Sequence, residues 1–84
     1  MLYKIVVGSQ IRLFDCKELL SLELLTAFVT KNFPKLTKFS LYYIDEDGDH
    51  ITLESKEDVS VFLDYEQKKP KIYVNELAQE DTVF

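Results

Sequence analysis

The feature that most restricts the fold is an acid-rich segment, residues 43–59, set within periodic apolar sequence. From Ile44 the run reads IDEDGDHITLESKEDV, with seven acidic residues against one base, Lys56. So many like charges repel one another, and a folded chain tolerates them only where they face water or a cationic partner. The segment is therefore predicted to lie outside the core.

Strand-like sequence flanks the most acidic part of this segment. Apolar residues alternate with others over residues 39–44, and a short returning strand is indicated by Ile51 and Leu53. Between them, Asp47-Gly48 is a good turn signal. Tyr42 is expected to face outward, where it either contacts a partner or covers the sheet.

Two more strands are predicted at the start of the chain. Tyr3, Ile5 and Val7 alternate with other residues, which is the pattern of a half-buried strand. A tight hairpin turn is predicted at Gly8-Ser9-Gln10, and alternation resumes over residues 11–14.

Each of these two strands carries one cation, Lys4 or Arg12. We place Ile11 and Leu13 in the alternate positions of the second strand. If the strands pair antiparallel, both cations point off the core-facing side and lie close enough to form one basic patch. Two separate solvated charges on an outer sheet face are the alternative interpretation.

Helical periodicity occurs twice. Over residues 19–32 the apolar positions recur at three- and four-residue steps, with Ser21 as the N-cap and Pro34 ending the helix. Ser55 caps a second, shorter helix, in which Asp58 is the reciprocal acid of a capping box.

A last strand is predicted over residues 71–75, which gives the order ββαββαβ. The predicted fold is α+β: a ubiquitin-like β-grasp roll with a mixed sheet of about five strands and two helices. The 84 residues suffice for one small domain. We assign residues 1–77 to it and predict a frayed acidic tail over residues 78–84.

Charge and composition exclude several classes of function. No run of 18 apolar residues is present to cross a bilayer, so we expect a cytoplasmic protein. The net charge of −5 disfavours nucleic acid as a partner, since that requires a basic surface. The charge is also lopsided, because residues 1–44 carry +3 and residues 45–58 carry −6. Such asymmetry suits docking on another protein.

Catalysis is not indicated, because no nucleophile stands beside a base at a recognisable spacing. The single cysteine, Cys16, has no partner for a disulfide or zinc site and is interpreted as inert. His50 is interpreted as an exposed strand residue. No cofactor, small-molecule substrate or membrane partner is predicted.

A calcium loop is the alternative for the acidic turn. A twelve-residue EF-hand frame from Tyr43 places Asp45, Asp47, Gly48 and Glu54 at ligand or glycine positions. Its first position is then tyrosine instead of a carboxylate, and the flanks are strand-like instead of helical. We therefore predict no metal site.

The acidic run resembles a known family signature. Residues 43–49, YIDEDGD, followed after eight residues by Asp58, are similar to the acidic motif of the Phox/Bem-one (PB-one) domain family. The length and order of elements agree as well. The resemblance implies a ubiquitin-like scaffolding module whose copies pair through an acidic face on one and a basic face on another.

The resemblance also assigns residues to the two faces. The implied acidic face is Asp45, Glu46, Asp47, Asp49, Glu57 and Asp58. Lys4 and Arg12 match the family's basic positions, which implies the mixed type with both faces. Leu13 stands where some members have a second arginine, and Lys56 stands where an acid is common. Family members occur in kinases, oxidase subunits, selective-autophagy receptors and secretory scaffolds.

The implied partner is another domain of the same family or a second copy of this chain, front to back. One alternative is a one-sided binder that uses only its acidic turn toward a heterologous basic domain. Another is a ubiquitin-like modifier or Ras-binding module. A ubiquitin-like modifier requires a C-terminal Gly-Gly, which the sequence lacks. A Ras-binding module would leave the acidic turn without a role.

Overall fold

The computed structural model describes residues 1–65 and 70–77 of the chain. The elements are β1 Leu2–Val7, β2 Gln10–Asp15, α1 Leu22–Asn32, β3 Phe39–Ile44, β4 His50–Leu53, α2 Lys56–Asp64 and β5 Lys71–Glu76. This order confirms the predicted ββαββαβ arrangement. The predicted tail, residues 78–84, lies outside the described residues.

All five strands form one sheet in the order β2-β1-β5-β3-β4. The β1–β5 pair is parallel, and the β1–β2, β3–β4 and β3–β5 pairs are antiparallel. The mixed sheet of the predicted ubiquitin-like roll is therefore present. β5, the last strand in the sequence, occupies the centre of the sheet, and β2 and β4 form its two edges.

Both helices begin where the sequence indicates. The Ser21 side chain accepts from the backbone N–H of Leu24 and caps α1. At α2 the Ser55 side chain and Asp58 form the complete capping box. Each cap satisfies N–H groups that have no partner within the helix, so the starts are fixed by local sequence.

The core lies between the helices and one face of the sheet, which we call the inner face. Ile5, Leu25, Val29 and Ile72 are completely buried there. The Phe62 ring of α2 lies 4.8 Å from the Tyr43 ring and 6.2 Å from the Tyr3 ring, measured between centroids. Aromatic packing of this kind anchors α2 against the ends of β1 and β3.

The opposite, outer face of the sheet carries a row of stacked rings. The Tyr42 ring stacks on Tyr73 at 5.2 Å and on His50 at 4.6 Å. Tyr42 is half-buried by these neighbours, so it covers the sheet. His50 is an exposed strand residue, as predicted, and Cys16 is buried, with its thiol donating to the Glu18 carbonyl.

Candidate functional site

The acidic turn between β3 and β4 is built by one of its own carboxylates. Asp45 Oδ1 accepts the backbone N–H of Asp47 at 3.0 Å and that of Asp49 at 2.9 Å. Backbone bonds from Asp45 to Asp49 and from Gly48 to Asp45 close the loop. Gly48 has φ of 85°, a conformation that side chains other than glycine rarely adopt. Asp45 is therefore half-buried and structural, while its neighbours point outward.

The start of α2 uses a second carboxylate in the same way. Asp58 Oδ2 accepts the backbone N–H groups of Glu54 at 2.9 Å and Ser55 at 3.1 Å. These hydrogen bonds lower the pKa of Asp58, and the bond from the Glu54 N–H has the largest effect. The positive end of the helix also favours acids at this place, including the exposed Glu57.

Both acidic elements act electrostatically on the buried side chain of Tyr43. Burial raises the pKa of the Tyr43 phenol. The pKa is raised further by the carboxylate of Asp45 and then by Tyr65 and the carboxylate of Asp58. Asp45 and Asp58 are thus both within electrostatic reach of one buried side chain. We group the acids of the turn and of the helix start as the acidic face: Asp45, Glu46, Asp47, Asp49, Glu57 and Asp58.

Removing the charge of Asp58 is expected to change how stability depends on pH. A carboxylate whose pKa is lower in the folded than in the unfolded chain stabilises the fold at pH values above its pKa in the unfolded chain. It loses that contribution as the pH falls through its lowered pKa in the folded chain. The native chain should therefore be more stable than Asp58→Asn at pH 7, with the difference shrinking below about pH 4. Urea unfolding at several pH values measures this. A difference that stays constant with pH, or one equal to that of the exposed control Glu46→Gln, would contradict it.

No cation of this chain neutralises the acidic face within residues 1–65 and 70–77. The ion pairs there involve Asp15, which contacts Lys17 at 2.9 Å and the Met1 amine at 3.8 Å. Glu46, Asp47, Asp49 and Glu57 are exposed. Glu54, which was not assigned to this face from the sequence, is also exposed, and its backbone N–H donates to Asp58.

The prediction that Lys4 and Arg12 project from the same side is wrong. Arg12 lies opposite Ile5, whose buried side chain defines the inner face, whereas Lys4 lies opposite Leu13 on the outer face. The cause is the hairpin: Val7 pairs with Gln10, so the turn has two residues instead of three. A shift of one residue moves every side chain of a strand to the other face.

Arg12 instead reaches toward the end of α1. Its guanidinium lies 5.7 Å from the centroid of the Phe33 ring, in a cation–π contact, and the residue remains exposed. Phe14, two residues on, stacks on Phe28 of α1 at 4.5 Å. The inner face of β2 therefore packs on α1, and Leu13 is left exposed on the outer face.

Lys71 is a further cation near Lys4 that was not assigned to the basic face from the sequence. It pairs with Lys4 in the parallel β1–β5 register and is exposed. Only the pairing of β1 with β5 brings these lysines together, and alternation within either strand gives no sign of it.

The calcium-loop alternative does not match this geometry. Carboxylate oxygens of Asp45, Asp47 and Asp49 lie within 4.8 Å of one another. However, Asp45 Oδ1 is already bound to the turn's own N–H groups, and strands β3 and β4 flank the loop where an EF-hand has helices. Turn formation accounts for the arrangement of these acids. Separately, none of the described helices has the length and apolar character needed to span a bilayer.

Comparison with known proteins identifies the family. The family model described as "PB1 domain" matches residues 3–77. No curated protein sequence matches significantly. Two similar solved structures are described as "AtNBR1-PB1 domain" and "Cryo-EM structure of AtNBR1-PB1 filament (L-type)".

The first superposes with a TM-score of 0.70 at 23% identity, covering 90% of this chain and 98% of that one. The second has a TM-score of 0.69 at 27% identity and covers 89% and 97%. The family match confirms the resemblance carried by the YIDEDGD run. The chain belongs to the PB1 domain family of protein–protein interaction modules.

Proposed function

We propose that this chain is a PB1 domain of the mixed type, which pairs front to back through its acidic face and a cationic surface that includes Lys4. The observation that supports this is the separation of the charges. The acidic face lies at β3, β4 and α2, whereas Lys4 lies on β1, with β5 between them. No ion pair joins the two surfaces in the described part of the chain, so both are available to another molecule.

The partner in this proposal is a second copy or another domain of the family, and residues 1–77 form the interaction domain. Because the two surfaces differ, each contact is heterologous, and repeating it without closure produces a chain of molecules. The similar AtNBR1-PB1 structure is of a filament, which supports the same outcome here. In this role the module binds other proteins and does not catalyse a reaction, and it acts as a scaffold in the cytoplasm.

The binding energy comes from several charge-assisted hydrogen bonds. One exposed ion pair contributes only about 0–1 kcal/mol. Four exposed acids, Glu46, Asp47, Asp49 and Glu57, are available to engage several cations, and partial exclusion of water on contact strengthens each pair. The same charges steer the approach of the partner.

Association is expected to weaken as salt rises. The screening length falls from about 8 Å at physiological ionic strength to about 3 Å at 1 M salt, which reduces attraction between the two surfaces. Light scattering should show large species at low salt and a mass near that of one chain at high salt. Lys4→Ala should give the smaller mass at every salt concentration. An equal mass at low and high salt, and for this variant, would contradict self-assembly.

A one-sided acidic binder is the second candidate, and the placement of Arg12 favours it. With Lys4 and Arg12 on opposite faces, the chain lacks the combined basic patch that the sequence predicts. Such a binder would use the acidic face toward a basic domain of another protein. In that case Asp47→Ala would abolish binding to the partner, and Lys4→Ala would leave it unchanged.

A further inference from the structure

We infer that Lys71 is the second cation of the surface that receives the acidic face of a neighbouring copy, beside Lys4 on the outer face of the sheet. This rests on the proposed front-to-back pairing. The principal cationic contact is then formed by Lys4 and Lys71, and not by Lys4 and Arg12.

The strand register places the two lysines side by side. In the parallel β1–β5 pair, Lys4 is the partner of Lys71 and Ile5 is the partner of Ile72. Both isoleucines are completely buried on the inner face. Since successive side chains point to opposite faces, both lysines project from the outer face, on strands about 4.8 Å apart.

Two like charges at this spacing destabilise a sheet unless an anion lies between them. Within the described ranges, no acid forms an ion pair with either lysine. A carboxylate from outside the chain would relieve the repulsion and bind both ammonium groups. Arg12 is on the opposite face of the sheet, so it does not share the same carboxylate.

The surroundings of Lys4 strengthen such a contact. Leu13, directly opposite Lys4 on β2, is 60% exposed, and Leu2 on the same outer face of β1 is 53% exposed. A partner that covers these side chains excludes water around the lysines, and charge pairs are stronger where water is excluded. No cation occupies the β2 position next to Lys4, so β5 supplies the second one.

A two-component dimer isolates one interface for the test. The acid-only variant, Lys4→Glu, retains its acidic face, and the cation-only variant, Asp47→Arg, retains its lysines. Their dissociation constant is measured by isothermal titration calorimetry. Adding Lys71→Ala to the cation-only variant should weaken the dimer about tenfold, as expected for loss of one partly dried charge pair.

The matched control is the same substitution in the acid-only variant, where Lys71 lies away from the shared interface. There the dissociation constant should not change. Lys35→Ala in the cation-only variant removes an equal charge from the loop after α1 and should also have no effect. Circular dichroism confirms that each variant is folded.

Three outcomes overturn the inference. One is an unchanged dissociation constant with Lys71→Ala in the cation-only variant. Another is that Lys71→Ala weakens the dimer equally whichever of the two variants carries it. A third is tighter binding when the acid-only variant carries Lys71→Ala, which would mean that Lys71 screens its own acidic face. Absence of a dimer from the two parent variants would overturn the proposed function as well, whereas the other outcomes leave that function standing.

Discussion

Asp47→Arg and Lys4→Glu, each monomeric alone, are expected to form a one-to-one dimer when mixed. Each substitution reverses one charge on one surface and leaves the other surface intact. The mixture therefore offers one native contact, between the lysines of the first variant and the acidic face of the second. The remaining surfaces stay mismatched, because the Asp47→Arg turn keeps a net negative charge that repels Glu at position 4.

The expected effect is large because charge reversal does more than delete a favourable pair. It places like charges opposite each other, which costs several kcal/mol in a docked interface. Analytical ultracentrifugation of each variant alone and of the mixture measures the mass. The matched controls Glu18→Arg and Lys35→Glu change equal charges at exposed positions that belong to neither surface and should assemble as the native chain does.

Two results would contradict two complementary surfaces. If the mixture stays monomeric while both variants are folded, the native contact does not use Asp47 and Lys4 together. If Lys4→Glu alone assembles as the native chain does, the acidic face binds something other than Lys4. The second result would favour the one-sided binder.

Phe62→Ala is expected to unfold most of the protein. Phe62 is buried between Tyr3 and Tyr43, and truncation of such a ring typically costs about 3–5 kcal/mol. That is comparable to the whole stability that a core of this size supplies. Association should be lost as well, because α2 carries Glu57 and Asp58 and is held against the sheet by this ring.

Urea unfolding followed by circular dichroism measures this effect. The matched control is Val61→Ala, the preceding residue on the same helix, whose side chain is 59% exposed. Its cost should stay within about 0.5 kcal/mol, as for most surface substitutions. Similar stability losses for the two variants would show that the Phe62 ring does not anchor α2.

The elements were predictable where local sequence decides them. Ser21 and Ser55 start their helices because each satisfies backbone groups a few residues away, and Phe39 to Ile44 form a strand because of their alternation. The acidic face was predictable for the same reason, since its members are near neighbours in sequence. The capping role of Asp58 was read from spacing alone.

What the sequence did not reveal depends on register. One residue more or less in the β1–β2 turn decides whether Arg12 faces the helices or the open side, and both lengths fit Gly8-Ser9-Gln10. Lys71 meets Lys4 only because β5 inserts next to β1, a contact between residues 67 positions apart. The turn-building role of Asp45 was hidden too, because the three aspartates of the turn look equivalent in sequence.

The central position of β5 has a consequence for synthesis on the ribosome. Until residues 71–76 emerge, β1–β2 and β3–β4 are two separate hairpins with no strand between them. The sheet closes only when this late segment inserts, which is a slow kind of event because it joins distant parts of the chain. Lys4 and Lys71 come side by side only at this step, so the paired lysines of the outer face are completed after both hairpins.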